Sequence, residues 1–202
     1  GKPAARVKDA CEHGGEVTGG FGSVLIGESK IIKSKGLSED EKERIIYQTI
    51  QKCTVLLERK LKLMQSNDSK TRQDFEVWFG CMDEERMQMV MHRIERSLII
   101  SKTLTVNNFD VIHSDFARSK YFALANRSDE FHTIYLGDPF WNLKDSASQT
   151  RADVLVHEIS HFWDVGPTID FDYGSEQCLF LSKNYSRQAF YNADSFMYFV
   201  KS

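Results

Sequence analysis

The segment Val154-Leu155-Val156-His157-Glu158-Ile159-Ser160-His161-Phe162 carries an H-E-x-x-H pattern within an apolar run. Residues four apart share one face of a helix, so His157 and His161 can present two imidazole nitrogens to one metal ion. Glu158 projects beside them, where it can take a proton from a water molecule activated by that ion. The surrounding Val154, Leu155, Val156, Ile159 and Phe162 are suited to bury the rest of the helix and exclude solvent. Two histidines do not complete a catalytic zinc site, which needs a third protein ligand and one position left for water. Gly166-Pro167 stops the helix, and Thr168-Ile169-Asp170-Phe171-Asp172-Tyr173-Gly174 follows. By chemistry alone Asp164, Asp170, Asp172 and Glu176 compete for the third place. Asp164 is too close to His161 to turn back from a helix, whereas Asp170 has room to do so and ranks first.

These side chains need a scaffold, and the composition supplies one. The chain has 202 residues, 41% hydrophobic and 27% charged, which is globular composition and excludes wholesale disorder. A chain of this length buries enough surface to fold without staples. The net charge of −3 gives no bulk attraction to nucleic acid. No apolar run approaches the ~18 residues of a membrane span, and Gly1-Lys2-Pro3-Ala4-Ala5-Arg6 lacks the apolar core of a signal peptide. Cys11, Cys53, Cys81 and Cys178 allow two disulfides in three pairings, but with no C-x-x-C and no dense spacing the favoured reading is free, mostly buried thiols.

Composition changes near residue 37. Residues 1–36 hold eight of the twelve glycines around Ser23-Val24-Leu25-Ile26, a pattern of tight turns and short strands too small for its own core. The lysines between Lys30 and Lys35 read as a solvated linker. From Ser38 the pattern is helical. Ser38 and Glu41 form a capping box, and Ile46, Ile50, Cys53, Leu57, Leu61 and Met64 make one apolar face that ends at Asn67-Asp68-Ser69. A second helix fits Asp83 to about Ser101, and its stripe of Met87, Val90, Met91, Ile94 and Leu98 reads as core. Residues 121–125 and 133–136 are β-like, and helical character returns from about Gln149 through Phe162 and from Glu176 onward. The expectation is an α+β domain over 37–202, mainly helical with a small sheet, preceded by the Gly-rich β-type segment 1–36. His92 and His132 are expected to be ordinary satisfied or solvated histidines.

H-E-x-x-H followed by T-x-D-x-x-Y-G resembles the aspzincins, deuterolysin and more closely the peptidyl-Lys metalloendopeptidases. Trp78-Phe79-Gly80, Ile134-Tyr135-Leu136-Gly137-Asp138-Pro139-Phe140-Trp141 and Asn192-Ala193-Asp194-Ser195-Phe196-Met197-Tyr198-Phe199 match family blocks in order, so the resemblance covers roughly residues 38–202. It implies a zincin-type zinc endopeptidase with Zn2+ on His157, His161 and Asp170, Glu158 as general base and Tyr173 steadying the oxyanion. Two departures stand out. Secreted members carry a cysteine at the Gly137 position and a nearby cysteine pair where this chain reads Asp110-Val111-Ile112-His113, so that disulfide is absent and no oxidising space is required. Lys-specific members place two acids in the substrate-lysine pocket at positions matching Asp194 and Met197. One acid is kept and one lost, which implies relaxed preference with some cleavage at uncharged residues.

The N-terminal piece, Gly1-Lys2-Pro3-Ala4-Ala5-Arg6-Val7-Lys8-Asp9, His13-Gly14-Gly15 and Ser23-Val24-Leu25-Ile26-Gly27, resembles the last repeat of a PAAR domain, the tip of the type VI secretion spike. Cys11 and His13 are candidate remnants of its zinc site. Together the resemblances imply the toxin domain of a type VI effector, with a peptide or protein substrate, a cognate immunity protein and the spike as partners, delivered into a target cell. Cleavage of peptidoglycan stem peptides by the same zinc apparatus and a non-catalytic binding module are the competing expectations.

Overall fold

The computed structural model describes residues 36–144, 146 and 149–202. The PAAR-like segment, Cys11, His13 and the Lys30 to Lys35 cluster lie outside the described residues.

Helix α1 (Glu39–Gln65) starts at the Ser38 capping box, where Ser38 Oγ accepts from Glu41 N at 3.2 Å and Glu41 accepts from Ser38 N at 2.8 Å. Its buried stripe of Ile46, Cys53, Leu57 and Met64 is the expected apolar face. The polar triplet after it does two jobs: it ends α1, and Asp68 caps a new helix α2 (Ser69–Phe79) by accepting from Thr71 N at 2.7 Å. Sequence periodicity left α2 unassigned, because its apolar face is little more than Phe75 and Phe79. Helix α3 (Glu84–Thr103) is capped by Asp83, and Met87, Val90 and Ile94 are buried as core, with Met91 and Leu98 packed beside them.

The small sheet is made of β1 (Phe109–Val111), β2 (Ala123–Ala125) and β3 (Ile134–Leu136) in the order β1-β3-β2, with β1 parallel and β2 antiparallel to β3. Strand β2 is therefore an edge of this sheet, with one side unpaired by any described strand. Helix α4 (Asp115–Lys120) lies between β1 and β2, and α5 (Asp138–Asn142) follows β3. Like β1, both are too short for periodicity to reveal. Gly137, before α5, lies so close to neighbouring backbone that a Cβ would fall 2.0 Å from Tyr121 O. A side chain, cysteine included, does not fit there without movement.

The remaining helices are α6 (Arg151–Ile159), α7 (Ser175–Asn184), α8 (Ser186–Tyr191) and α9 (Ala193–Lys201). The last stretch, read from sequence as helical throughout, is broken by non-helical backbone at Tyr185 and by extended backbone at Asn192. Helix α6 packs between α1 and α9. An aromatic cluster ties α2 to α9: Phe79 and Phe199 lie 5.3 Å apart, Phe75 and Phe199 5.6 Å in an edge-on contact. Such pairs add about 0.5–1.5 kcal/mol beyond burial. Two buried cations pin the ends. Lys60, fully buried, donates to Ser202 O at 3.1 Å over the Phe199 ring, and burial pulls its pKa down to about 8. Arg93 donates to Gly166 O at 2.8 Å and Phe190 O at 3.2 Å, fixing the turn beyond α6. Cys53 and Cys178 are buried, Cys81 is partly exposed, and all three are free.

Gly80 ends α2 at φ +83°, and an added Cβ would meet Ser182 O at 1.8 Å. Gly80→Ala combines a left-handed backbone penalty with a clash against backbone, so it should destabilise by roughly 2–5 kcal/mol. Urea unfolding followed by circular dichroism checks this; an unchanged midpoint would show that the α2–α7 approach is looser than described.

Candidate active site

Helix α6 begins with a second capping box. Thr150 accepts from Asp153 N at 3.2 Å, and Asp153 accepts from Thr150 N at 2.8 Å. Asp153 is almost fully buried and takes a 2.7 Å ion pair from Lys201 of α9. Every residue of α6 from Ala152 onward is buried, so the helix is a core element that exposes only one edge to a cleft. After Ile159 it tightens: His161 N bonds Glu158 O at 3.1 Å and Phe162 N bonds Ile159 O at 3.3 Å, both of 3₁₀ type. His161 thus lies just beyond the α-helix rather than within it, yet its ring stays 4.9 Å from that of His157.

The third group arrives on the 166–174 loop. Main-chain pairing sets its position: Ile169 N donates to Tyr191 O at 2.8 Å, and Ala193 N donates to Ile169 O at 3.1 Å, a parallel bridge to the start of α9. Asp170 then turns inward. His157 Nε2 lies 3.1 Å and His161 Nε2 3.5 Å from Asp170 Oδ1, and the three donor atoms all fall within 4.8 Å of one another. Donors on a tetrahedral zinc ion are roughly 3.3 Å apart. Asp170 Oδ1 is buried and has no well-formed hydrogen bond. Two neutral imidazoles and one carboxylate, with an orphaned oxygen at their centre, are a donor set that fits zinc.

The outward nitrogens of both rings are fixed. His157 Nδ1 bonds Asp194 Oδ1 at 2.6 Å, and Asp194 Oδ2 accepts from Gly174 N at 2.7 Å. His161 Nδ1 bonds Thr168 O at 3.1 Å, while Thr168 Oγ1 and Ser160 Oγ are 2.6 Å apart. Such partners fix ring tautomer and orientation. Asn192, fully buried, organises the loop: its Oδ1 accepts from Phe171 N at 2.9 Å and Asp172 N at 3.2 Å, and its Nδ2 donates to Asp172 O at 3.0 Å. Thr168 and Asn192 were not read as site residues from sequence. The signal for Asn192 was its place as a capping-type residue just before the last helix.

Electrostatics follow from this crowding. Burial pushes the Glu158 carboxyl up to about 7, with the His157 charge opposing and Asp170 reinforcing the shift. At that value it can both accept and return a proton near neutrality. Burial acts to lower His157, but its contacts with Asp170 and Asp194 override this and raise it well above the ordinary range. A metal ion binding here therefore competes with a proton. His161 is brought down to about 4, first by burial and then by the His157 charge. Asp170 resists burial and falls to about 2 through its His157 partner. The Tyr173 phenol is raised by burial first and then by the nearby Asp170 carboxylate, so it remains a donor.

The cleft, about 660 Å³, is lined by His157, Glu158, His161, Asp170 and Tyr173, with Asp194 and Met197 on the α9 side. Of the other acids considered for the metal, Asp164 pairs with Arg96 at 2.8 Å and His132 at 3.1 Å at the surface. Glu176 is exposed in the first turn of α7. Asp172 lines the cleft, but its Oδ1 accepts from Tyr173 N at 3.0 Å. His92 is exposed beside Glu95.

Comparison with known proteins gives concordant results. A family model described as "Lysine-specific metallo-endopeptidase" matches residues 64–201. A peptidyl-Lys metalloendopeptidase of Pleurotus ostreatus is 33% identical over 70% of this chain and 80% of its own length. An extracellular protease of Aeromonas hydrophila is 30% identical over 67% of this chain, but only 37% of its own length is spanned. A solved zinc peptidase from Grifola frondosa superimposes with a TM-score of 0.67 at 23% identity, covering 82% of this chain and 96% of that one, a likeness of fold.

Zinc content should discriminate among the acids. Purified wild type should hold about one zinc per chain in the helical domain, and Asp170→Ala should lose most of it with its helices intact. Asp194→Asn should weaken zinc binding roughly 10–100-fold. Elemental analysis with a competing chelator measures both; a metal-replete Asp170→Ala beside a metal-free Asp172→Ala would contradict the arrangement.

Proposed function

This chain belongs to the aspzincin family and is a zinc metalloendopeptidase, and we propose that His157, His161 and Asp170 hold the zinc of a toxin domain carried by a type VI secretion effector. The observation that carries the site assignment is the convergence of two Nε2 atoms on the orphaned Asp170 Oδ1 beside Glu158. Zinc, when bound there, supplies Lewis acidity that polarises a peptide carbonyl and makes water nucleophilic at neutral pH.

The chain's own residues do the rest. Glu158 accepts the proton of the attacking water and returns it to the leaving amine, a role suited to a carboxyl poised near 7. Tyr173 keeps its proton and offers its O–H to the developing oxyanion. Asp194 and Thr168 hold the imidazoles in the ligating tautomer. Residues 121–126, on and around the edge strand β2, line the cleft, and the edge of β2 that no described strand pairs suits an extended peptide added as a further strand.

The effector role rests on sequence. The segment 1–36 resembles the end of a PAAR domain, which supports attachment to the spike, with 37–202 as the peptidase domain it carries. A peptidase delivered this way needs a cognate immunity protein in its own cell. Protein is the proposed substrate, and the target cell the proposed site of action.

Glu158→Gln should keep zinc and fold but lose hydrolysis by several orders of magnitude, because an amide cannot accept the proton. Mass spectrometry of peptides released from a denatured proteome, beside digestion of purified cell wall, gives activity and substrate class together. Wild-type chain should also arrest growth when produced in a bacterial cell, and Glu158→Gln should not. Near wild-type hydrolysis by Glu158→Gln would overturn the mechanism; release of stem peptides alone would move the substrate to peptidoglycan; toxicity of the inactive variant would point to a binding role.

A further inference from the structure

Behind the loop that carries Asp170 lies a second cavity, about 770 Å³, which shares no lining residue with the cleft. Helix α3 supplies Glu85, Met89 and Arg93, and Arg127 comes from just beyond β2. Val165, Pro167 and Ile169 of the loop and Tyr191 of α8 close it. Ile169 is held by a strand-like bridge, so it and Asp170 face opposite sides, Ile169 into this cavity and Asp170 into the cleft.

Two guanidinium groups line the cavity, and among the described residues neither has a carboxylate partner. Arg93 is 2% exposed. Its Nε and Nη1 are spent on the carbonyls of Gly166 and Phe190, at 2.8 and 3.2 Å, and its Nη2 forms no hydrogen bond among the described residues. Burial pulls its pKa down to about 10, so it keeps its charge at neutral pH. Arg127 lies over the Trp163 ring at 4.9 Å, and its Nε is buried without a hydrogen-bond partner. The nearby acids do not answer these charges. Asp164 is bonded to Arg96 at 2.8 Å and His132 at 3.1 Å. Glu85, the one acid among the lining residues, is exposed and two helical turns, about 12 Å, from Arg93. His92, exposed beside Glu95, adds a positive charge only when protonated.

A buried cation and a buried unsatisfied donor on one wall are costly, and an oxyanion relieves both. Guanidinium groups recognise planar carboxylates well. The rest of the wall is Met89, Val165, Pro167, Ile169 and Tyr191, which offers burial to an apolar body. A bare phosphate has no such body and would bring a second negative charge past Glu85. We propose that this cavity is a second binding site, for the C-terminal carboxylate of a peptide ending in an apolar residue such as leucine or phenylalanine. The site does not depend on the endopeptidase reading, although hydrolysis of a peptide bond releases one new C-terminal carboxylate at every cut.

Calorimetric titration of the zinc-loaded full chain tests this, with Glu158→Gln as the background so that no peptide is consumed. An N-acetylated tripeptide ending in leucine, with a free C-terminal carboxylate, is compared with its C-terminal amide, which isolates the charge. The acid should bind about tenfold or more tighter than the amide, and Arg127→Met should remove most of that difference. Met89→Trp, at an exposed position on the cavity wall, should fill the cavity and weaken binding of the acid by about tenfold or more. Equal binding of acid and amide, or no binding of the acid, would overturn the proposal. So would a preference for the acid that survives Met89→Trp, which would place the carboxylate at the zinc instead. Binding of an amidated peptide ending in glutamate as tightly as the leucine acid would also overturn it, because that carboxylate brings no apolar side chain.

Discussion

A carboxylate oxygen buried without a well-formed hydrogen bond is expensive, on the order of several kcal/mol for a charged group. Asp170 Oδ1 is held in that state at the meeting point of two imidazole nitrogens, and much of the surrounding structure serves to keep it there. The loop cannot relax outward because Ile169 is bridged to Tyr191 and Ala193, and Asn192 grips the next residues through their main chain. The histidines cannot turn away because Asp194 and Thr168 hold their far nitrogens. Such a constellation is stable as a whole only when a cation answers the carboxylate, by proton or by metal.

The same restraints explain why α9 matters as much as the helix bearing H-E-x-x-H. Its first residues fix the Asp170 loop, Asp194 orients His157, Met197 faces the cleft, and Lys201 neutralises the Asp153 cap of α6. One short helix therefore couples metal geometry, pocket chemistry and the seating of α6. The buried Lys60 contact with Ser202 and the Phe75, Phe79 and Phe199 cluster anchor that helix to α1 and α2. Fold and site are held by common contacts, so mutations far from the cleft along α9 will be felt in it.

How much of this was legible in the sequence varies with the kind of signal. Residue type and spacing placed His157, Glu158 and His161 on one element, because side-chain direction in a helix is local. The α1 and α3 cores were legible for the same reason. Asp170 could be ranked but not separated from Asp164, Asp172 and Glu176, since what selects it is a long-range main-chain bridge that leaves no residue pattern. Asn192 and Thr168 were missed because their contribution runs through backbone atoms. Helix α2 was missed because its stability comes from aromatic packing across the fold rather than from its own periodicity. The break at Asn192 likewise goes with long-range contacts, its side chain being bonded to the main chain of Phe171 and Asp172. Residues 1–35 are outside the described structure, so their PAAR-like reading stands on sequence alone.

The claim on which everything else depends is that one metal ion sits among these three donors. Anomalous diffraction at the zinc edge from crystals of the full chain locates that ion directly. A single strong peak is expected about 2.0–2.2 Å from His157 Nε2, His161 Nε2 and an Asp170 oxygen, with Asp194 outside the coordination sphere. A peak coordinated by Asp194, Asp172 or a cysteine in place of Asp170, or no peak between the two histidines in zinc-replete protein, would contradict it.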